Sequence, residues 1–292
     1  MYGFVRSKAK KYAVNKMCNV LGLNESGYYK TLQRKPSSSK RQILSVEISK
    51  ILQEDEYNAN YGIQRIKLAL EQRGFFASRR TVYRVMEDLG ILKKRRVPHG
   101  STKATTEAQE KENIIKRDFK ATTPMHKCLT DITEILTAEG KLYISAILDC
   151  FDGSIVGLQI DDNMRKELCI ETVKQAFSYA NKGLILHSDR GSQYTSEEFR
   201  KTLKKYGIIQ SLSGTGHCYD NARMESFFAT LKKELLYKIP THKMTKKEVI
   251  TKIYNYIFAY YNTIRINTFN PGGFPPSVYR QHYYKNITQL IA

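Results

Sequence analysis

Tryptophan is absent from the 292 residues, and no run of about 18 apolar residues that could span a bilayer occurs. No membrane-spanning helix is therefore expected. The five cysteines, Cys18, Cys128, Cys150, Cys169 and Cys218, are odd in number, scattered and never spaced as CxxC. That excludes a disulfide framework, and the pairs His126 with Cys128 and His217 with Cys218 fall short of a structural zinc site. Basic Arg6, Lys8, Lys10 and Lys11 are followed by no apolar secretory stretch or small-residue cleavage site, so a cytoplasmic location is expected. Acidic residues are also scarce, with 28 Asp and Glu against 48 Lys and Arg for a net charge of +20. Such an imbalance points to a polyanionic partner without choosing an activity.

The excess is uneven. Residues 1–122 carry 26 basic and 12 acidic side chains, leaving 22 and 16 for the remainder. The basic part reads as helical. Residues 1–38 form an N-terminal helical segment with Val14, Met17, Cys18 and Leu21 on one face. Residues 39–96 carry three short apolar periodicities, around Ile43–Leu52, Ile63–Leu70 and Thr81–Leu89, punctuated by Tyr61-Gly62 and Gly74. Ser78 is placed to cap the third helix, which opens on Arg79 and Arg80 with Arg84 one turn later. The pattern predicts a small all-α helix-turn-helix region in which these arginines, with Lys93, Lys94, Arg95 and Arg96, meet DNA phosphates. For an isolated segment the alternative is a solvated basic helix face. Residues 97–123, polar and poor in apolar side chains, read as a linker.

Beyond Pro124 the periodicity changes. Alternating His126–Leu136, apolar Lys141–Cys150 and Ser154–Ile160 predict three strands joined by turns at Glu139-Gly140 and Asp152-Gly153. A helix near Arg165–Ala180, a strand at Leu184–His187, a helix near Ser196–Tyr206, a strand at Ile208–Leu212 and a helix over Asn221–Tyr237 follow. The order βββαβαβα predicts an α/β, ribonuclease-H-like catalytic core, assigned with its C-terminal helices to residues 124–285. The aromatic run Tyr254, Tyr256, Phe258, Tyr260 and Tyr261 is read as helix packing rather than as a base-stacking platform.

Three carboxylates stand out in this layout. Asp131 lies inside the first strand, where an acid is out of place. Asp189 directly follows the short apolar strand, at the end where ligands collect in parallel sheets. Glu225, separated from Asp189 by 35 residues, flanks the apolar stripe Met224, Phe227, Phe228, Leu231 and Leu235 of the last helix. Taken singly, an acid is most often a cap, a turn residue or a surface charge. Glu134, Asp149, Asp152 and Asp220 are rivals, with Asp149 assigned a structural role. Three hard oxygen ligands suit two Mg²⁺ or Mn²⁺ ions, which activate an oxygen nucleophile and stabilise the leaving oxygen in phosphodiester chemistry. Arg190 and Gln193 beside Asp189, Asn221 one turn before Glu225, and Lys232 at i+7 are candidate DNA contacts.

The blocks Thr130-Asp131-Ile132-Thr133, Asp149-Cys150-Phe151, Ile155-Val156-Gly157, the run His187 to Tyr194, Cys218-Tyr219-Asp220-Asn221-Ala222 and Glu225-Ser226-Phe227-Phe228 resemble one family. It is that of the B-frame transposases of two-frame bacterial insertion sequences, DDE enzymes with a retroviral-integrase-type core. Ser26-Gly27-Tyr28-Tyr29 and Val82-Tyr83-Arg84-Val85-Met86 extend the resemblance to the N-terminal part. It implies cleavage at element ends to free 3′-OH groups, then attack of a 3′-OH on DNA, with Asp131, Asp189 and Glu225 as catalytic residues and metal ligands. It further implies double-stranded DNA as partner, both element ends and target, a homo-oligomer on that DNA within the bacterial nucleoid, and an upstream-frame protein or fusion partner. The chain departs from the family at Cys128, where relatives carry Trp, and at Asn267, where His is usual. A non-catalytic DNA-binding repressor or domesticated protein, and a simple nuclease of the same fold, are the competing readings.

Overall fold

The computed structural model describes residues 1–33, 40–92, 112–177, 183–214 and 218–291. Lys93, Lys94, Arg95 and Arg96, and residues 97–111 of the expected linker, lie outside the described residues.

Short helices α1 (Tyr2–Lys8), α2 (Val14–Val20) and α3 (Glu25–Gln33) close on Val5, Cys18 and Tyr28. The next three, α4 (Lys40–Gln53), α5 (Ile63–Gln72) and α6 (Arg79–Asp88), share a core of Leu44, Ile48, Ile51, Ile66, Leu70, Val82, Val85 and Met86. Helix α6 starts where Ser78 predicts, its Oγ accepting the Thr81 N–H at 3.1 Å. With Val82, Val85 and Met86 turned inward, the helical repeat leaves Arg79, Arg80 and Arg84 exposed.

The α/β part is built on five strands: β1 (Lys127–Thr137), β2 (Gly140–Asp149), β3 (Ile155–Asp161), β4 (Ile185–Ser188) and β5 (Ile209–Leu212). Their order is β3-β2-β1-β4-β5. The first three pair antiparallel, and β4 and β5 add on in parallel beyond β1. This is the ribonuclease-H-like arrangement expected from the order of elements. Alternation along β1 sends Cys128 to one face and Leu129 to the other, and each face is covered. On the Cys128 side lie α7 (Lys166–Ala176), the single turn α8 (Ser192–Thr195) and α9 (Glu197–Lys205), which contribute Cys169, Val173, Tyr194, Phe199 and Leu203. On the Leu129 side lie α10 (Ala222–Leu231) and α11 (Lys246–Tyr254), with Met224, Phe227, Leu231, Val249 and Ile253. Gly157 lets α7 approach β3, since a Cβ there would sit 2.9 Å from both the Thr172 carbonyl oxygen and the Ala176 Cβ. A final helix, α12 (Pro276–Ile291), sends Arg280 to Asp149 and Asp152, each at 2.6 Å. The Asp149 carboxylate also accepts the Met125 and Phe151 N–H groups, consistent with a structural acid.

Helix α10 continues into a π-helical turn, Lys232–Leu236, which buries the consecutive residues Glu234, Leu235 and Leu236. Three adjacent buried side chains exceed the apolar stripe of about 100° usual for a surface helix, and Glu234 enters the interior within this wider turn. There Glu234 accepts two bonds from Arg265, both 2.9 Å, one from Arg65 of α5 at 3.0 Å and one from the Tyr256 hydroxyl at 2.8 Å. Beside this cluster Tyr57 packs against Tyr256 and Tyr260, and the Ile266 N–H bonds the Tyr61 hydroxyl at 3.0 Å. The helix-turn-helix region is thereby docked on the core. Of the aromatic run, Tyr256, Tyr260 and Tyr261 are buried, so helix packing is its main use.

Burial alone would raise the Glu234 carboxyl, but Arg265, with Arg65 and Tyr256, holds it below the usual range. A depressed folded-state pKa contributes stability that is present above the unfolded value and lost as pH falls through the folded one. We expect Glu234→Gln, which leaves two arginines facing a neutral group, to lower unfolding stability at pH 7 by roughly 3 kcal/mol in urea titrations. The difference from the parent protein should shrink below pH 4, as protonation does in the parent what the substitution does permanently.

Candidate active site

Parallel pairing of β1 with β4 aligns Lys127 with Ile185, Cys128 with Leu186 and Leu129 with His187. Asp189 directly follows β4, and Asp131 lies two residues beyond the paired Leu129 on β1, close enough for the Asp189 charge to act on it. Asp131 shares the face of Leu129, the face that α10 covers. It lines an open cleft of about 370 Å³ with Ile132, Thr133, Glu225, Phe228, Ala229, Lys232 and Tyr237. Asp189 is exposed at the end of β4, where its Oδ1 accepts the Gly191 N–H at 2.9 Å.

Glu225 owes its position to how α10 begins. Buried Asn221, at the helix N-cap, donates from Nδ2 to the Thr130 carbonyl at 3.1 Å, which pins the helix start to β1 beside Asp131. One residue earlier, buried Asp220 accepts from Asn113 Nδ2 at 2.9 Å, Arg117 Nε at 2.7 Å and the Gly214 N–H at 3.2 Å. Residues 112–120, the end of the expected linker, thus strap the loop before α10, and the Ile114 N–H adds a bond to Ser211 Oγ on β5 at 3.0 Å. Lys116 and Arg117 hold φ of +48° and +64°, a left-handed bend made by two non-glycine residues.

Electrostatics link the three acids. Burial pushes the Asp131 carboxyl up to about 7, with the charges of Asp189 and Glu225 adding to the rise and the Ile132 N–H and the Lys232 ammonium opposing it. Burial also raises Glu225. Among the described residues no three His, Cys, Asp or Glu side chains are gathered tightly enough to hold a metal ion as they stand. The donor chemistry nevertheless fits hard divalent cations. A carboxylate whose proton affinity is raised by burial and by neighbouring carboxylates, as that of Asp131 is, is the kind a bound cation would stabilise in ionised form.

The remaining sequence-predicted residues divide. Lys232 lines the same cleft as Asp131. Arg190 sits beside the site but is engaged, with Nε on the Ser213 carbonyl at 2.8 Å and a 2.5 Å ion pair to Glu112. Gln193 donates to the Met164 carbonyl at 3.1 Å, and Asn221 is turned inward as described. Arg79, Arg80 and Arg84 lie on the helix-turn-helix region, away from this cleft. His187 is buried against Ser211 at 2.9 Å, and burial lowers it to about 4, so it is neutral at pH 7. Sequence reasoning missed Asn113, Arg117 and Ser211, whose partners lie about a hundred positions away.

The raised Asp131 carboxyl has a stability consequence. For an acid whose folded-state pKa lies above its unfolded value, ionisation costs stability; the cost is absent below about pH 4 and complete above about pH 7. Asp131→Asn is therefore expected to stabilise protein freed of divalent ions at pH 8, by on the order of 2 kcal/mol in thermal melts, with the gain vanishing near pH 4. An unchanged or lowered melting temperature at pH 8 would contradict the strained carboxylate.

Sequence comparison identifies the domains. Residues 121–218 and 225–284 match two family models, each described as an integrase core domain, and residues 39–99 match an HTH-like domain. The transposase for insertion sequence element IS904 of Lactococcus lactis is 36% identical over 81% of this chain and 94% of its own. The putative transposase InsK of IS150 from Escherichia coli is 31% identical over 94% of this chain and 95% of its own. Among solved structures, the HTLV-2 integrase catalytic core domain in complex with magnesium aligns at 20% identity and a TM-score of 0.43, covering 55% of this chain and 99% of that one. With matches that run from the helix-turn-helix region through both sides of the carboxylate cleft, the chain belongs to the family of insertion-sequence transposases built on an integrase core.

Proposed function

We propose that the protein cleaves DNA at the ends of its insertion sequence and transfers the freed 3′-OH to another phosphodiester, with Asp131, Asp189 and Glu225 as the ligands of two Mg²⁺ or Mn²⁺ ions. The observation that supports this reading is that Asp131 and Glu225 line one cleft while the charges of Asp189 and Glu225 both act on Asp131. Bound ions would activate the attacking oxygen and neutralise the leaving one. The chain's own groups prepare for that. Asp131 and Asp189 present oxygens from a rigid sheet, Asn221 keeps α10 against β1 so that Glu225 faces them, and Lys232 offers a cation to a phosphate entering the cleft. Double-stranded DNA, as element ends and as target, is the substrate that this chemistry and the basic helical region require, with several copies of the chain acting on it in the bacterial cytoplasm. An upstream-frame protein or fusion partner completes the assembly in this reading. The exposed Arg79, Arg80 and Arg84 support backbone contact by α6.

The test is purified protein with labelled element-end duplex and Mg²⁺ or Mn²⁺. Joined products are expected, and Asp131→Asn, Asp189→Asn and Glu225→Gln should each reduce them by at least about a thousandfold while DNA binding without divalent ions persists. Cleavage without joining would identify a nuclease; metal-independent binding without products would identify a repressor. Separately, replacing Arg79, Arg80 and Arg84 together with Ala should reduce the slope of log affinity against log salt by about 3. An unchanged slope would remove α6 from the DNA interface.

A further inference from the structure

Helix α10 has a second exposed stripe. Its repeat places Glu225, Ala229 and Lys232 toward the carboxylate cleft and Met224, Phe227 and Leu231 toward the core. Arg223, Ser226 and Thr230 are left on a third side, where they line a separate pocket of about 240 Å³ with Arg65, Arg265, Asn267, Thr268 and Phe269. Three arginines around so small a space need anions, and the protein supplies one. Arg65 and Arg265 share the single carboxylate Glu234. Arg223 has no carboxylate within salt-bridge distance among the described residues. Its Nη1 is held by the carbonyl oxygens of Phe119 and Cys150, at 3.0 and 2.7 Å, and its guanidinium lies 3.8 Å from the centre of the Phe269 ring. Carbonyl dipoles and an aromatic face orient a guanidinium without neutralising it. Around it the hydroxyls of Ser226, Thr230 and Thr268 take no protein partner among the described residues, although each can donate to an anion.

We propose that this pocket binds a phosphoryl group, with Arg223 as its principal cation and Arg65 and the three hydroxyls as further donors. A planar guanidinium with an open donor edge, flanked by hydroxyls, is suited to tetrahedral oxyanions. The group is either a backbone phosphate of DNA or a free phosphate. Adjacency favours the first source, because Glu225, which lines the carboxylate cleft, and Ser226, which lines the pocket, are consecutive exposed residues of α10. A strand that leaves the cleft across this helix would come to Arg223. The proposal rests on the DNA-processing reading only for this choice of source. The positive pocket stands without it.

Two measurements on the full chain in EDTA, which removes catalysis from the readout, test the site. The first follows binding of an element-end duplex across a salt series for the parent, Arg223→Gln and Ser226→Asp. Loss of one phosphate contact predicts about tenfold weaker binding near 0.1 M salt and a slope reduced by about 1 in Arg223→Gln. Ser226→Asp, at an exposed position where folding is not at risk, should weaken binding at least as much. Because divalent ions are absent, neither outcome depends on turnover, so failure of the catalytic reading remains distinguishable. The second titrates inorganic phosphate against chloride at matched ionic strength and follows the melting temperature. A phosphate-specific rise in the parent that Arg223→Gln and Ser226→Asp both lack supports the site. That result together with unchanged DNA binding assigns it to free phosphate, whereas a reduced DNA salt slope assigns it to the DNA backbone. Unchanged DNA affinity and slope in both variants, with no phosphate-specific shift in the parent, would overturn the proposal.

Discussion

Pairing β4 in parallel beside β1 forces the chain to cross the sheet between them, and that crossover accounts for much of the architecture. Parallel neighbours cannot be joined by a hairpin, so the segment between β3 and β4 becomes α7, lying across the face that holds Cys128 and Ile147. The second crossover, from β4 to β5, supplies α8 and α9 to the same face. With both helical layers committed there, the opposite face is left for α10 and α11. The same pairing ends just before Asp131 on β1 and Asp189 after β4, so the strands that dictate the helical layers also bring two acids from positions 58 apart within electrostatic reach.

Glu225 depends on a different set of contacts. Its helix is pinned at the start by Asn221 on Thr130, steered by Asp220 in the grip of Asn113 and Arg117, and finished by the π-helical turn that buries Glu234 between two arginines. Each anchor comes from another part of the chain: β1, the segment before the sheet, and α5 of the helix-turn-helix region. A helix held by three remote partners has a defined pose only when all of them are in place. The buried charges of the last anchor need their counter-ions, which ties the docking of the helix-turn-helix region to the integrity of the core.

Much of the fold was legible in the sequence because its elements carry strong local patterns. Alternation over His126–Leu136 and the apolar run Lys141–Cys150 mark the strands seen as β1 and β2, and Ser78 before Arg79 marks a helix start that the structure reproduces. The order βββαβαβα then leaves few topologies, and the observed sheet is the expected one. The four-residue helix Ser192–Thr195 was not legible, since a single turn has no periodicity to detect. Nor was the π turn, because the apolar spacing runs smoothly from Leu231 to Leu235. Asn221, read from the sequence as a DNA contact or a helix cap, and Gln193, read as a DNA contact, donate to the backbone carbonyls of Thr130 and Met164. A polar side chain next to a reactive acid gives no local sign of whether its partner is a nucleic acid or a neighbouring strand. The candidate acids themselves were conspicuous for the opposite reason: Asp131 sits where strand propensity and burial both disfavour it.

The account stands on the claim that Asp131, Asp189 and Glu225 form one divalent-ion site. Anomalous diffraction from crystals of the full chain soaked in Mn²⁺ measures this directly. The account predicts anomalous density between Asp131 and Asp189, with a carboxylate oxygen of each in the coordination sphere, and Glu225 turned toward it. Density confined to other residues, or none at millimolar Mn²⁺, would contradict it.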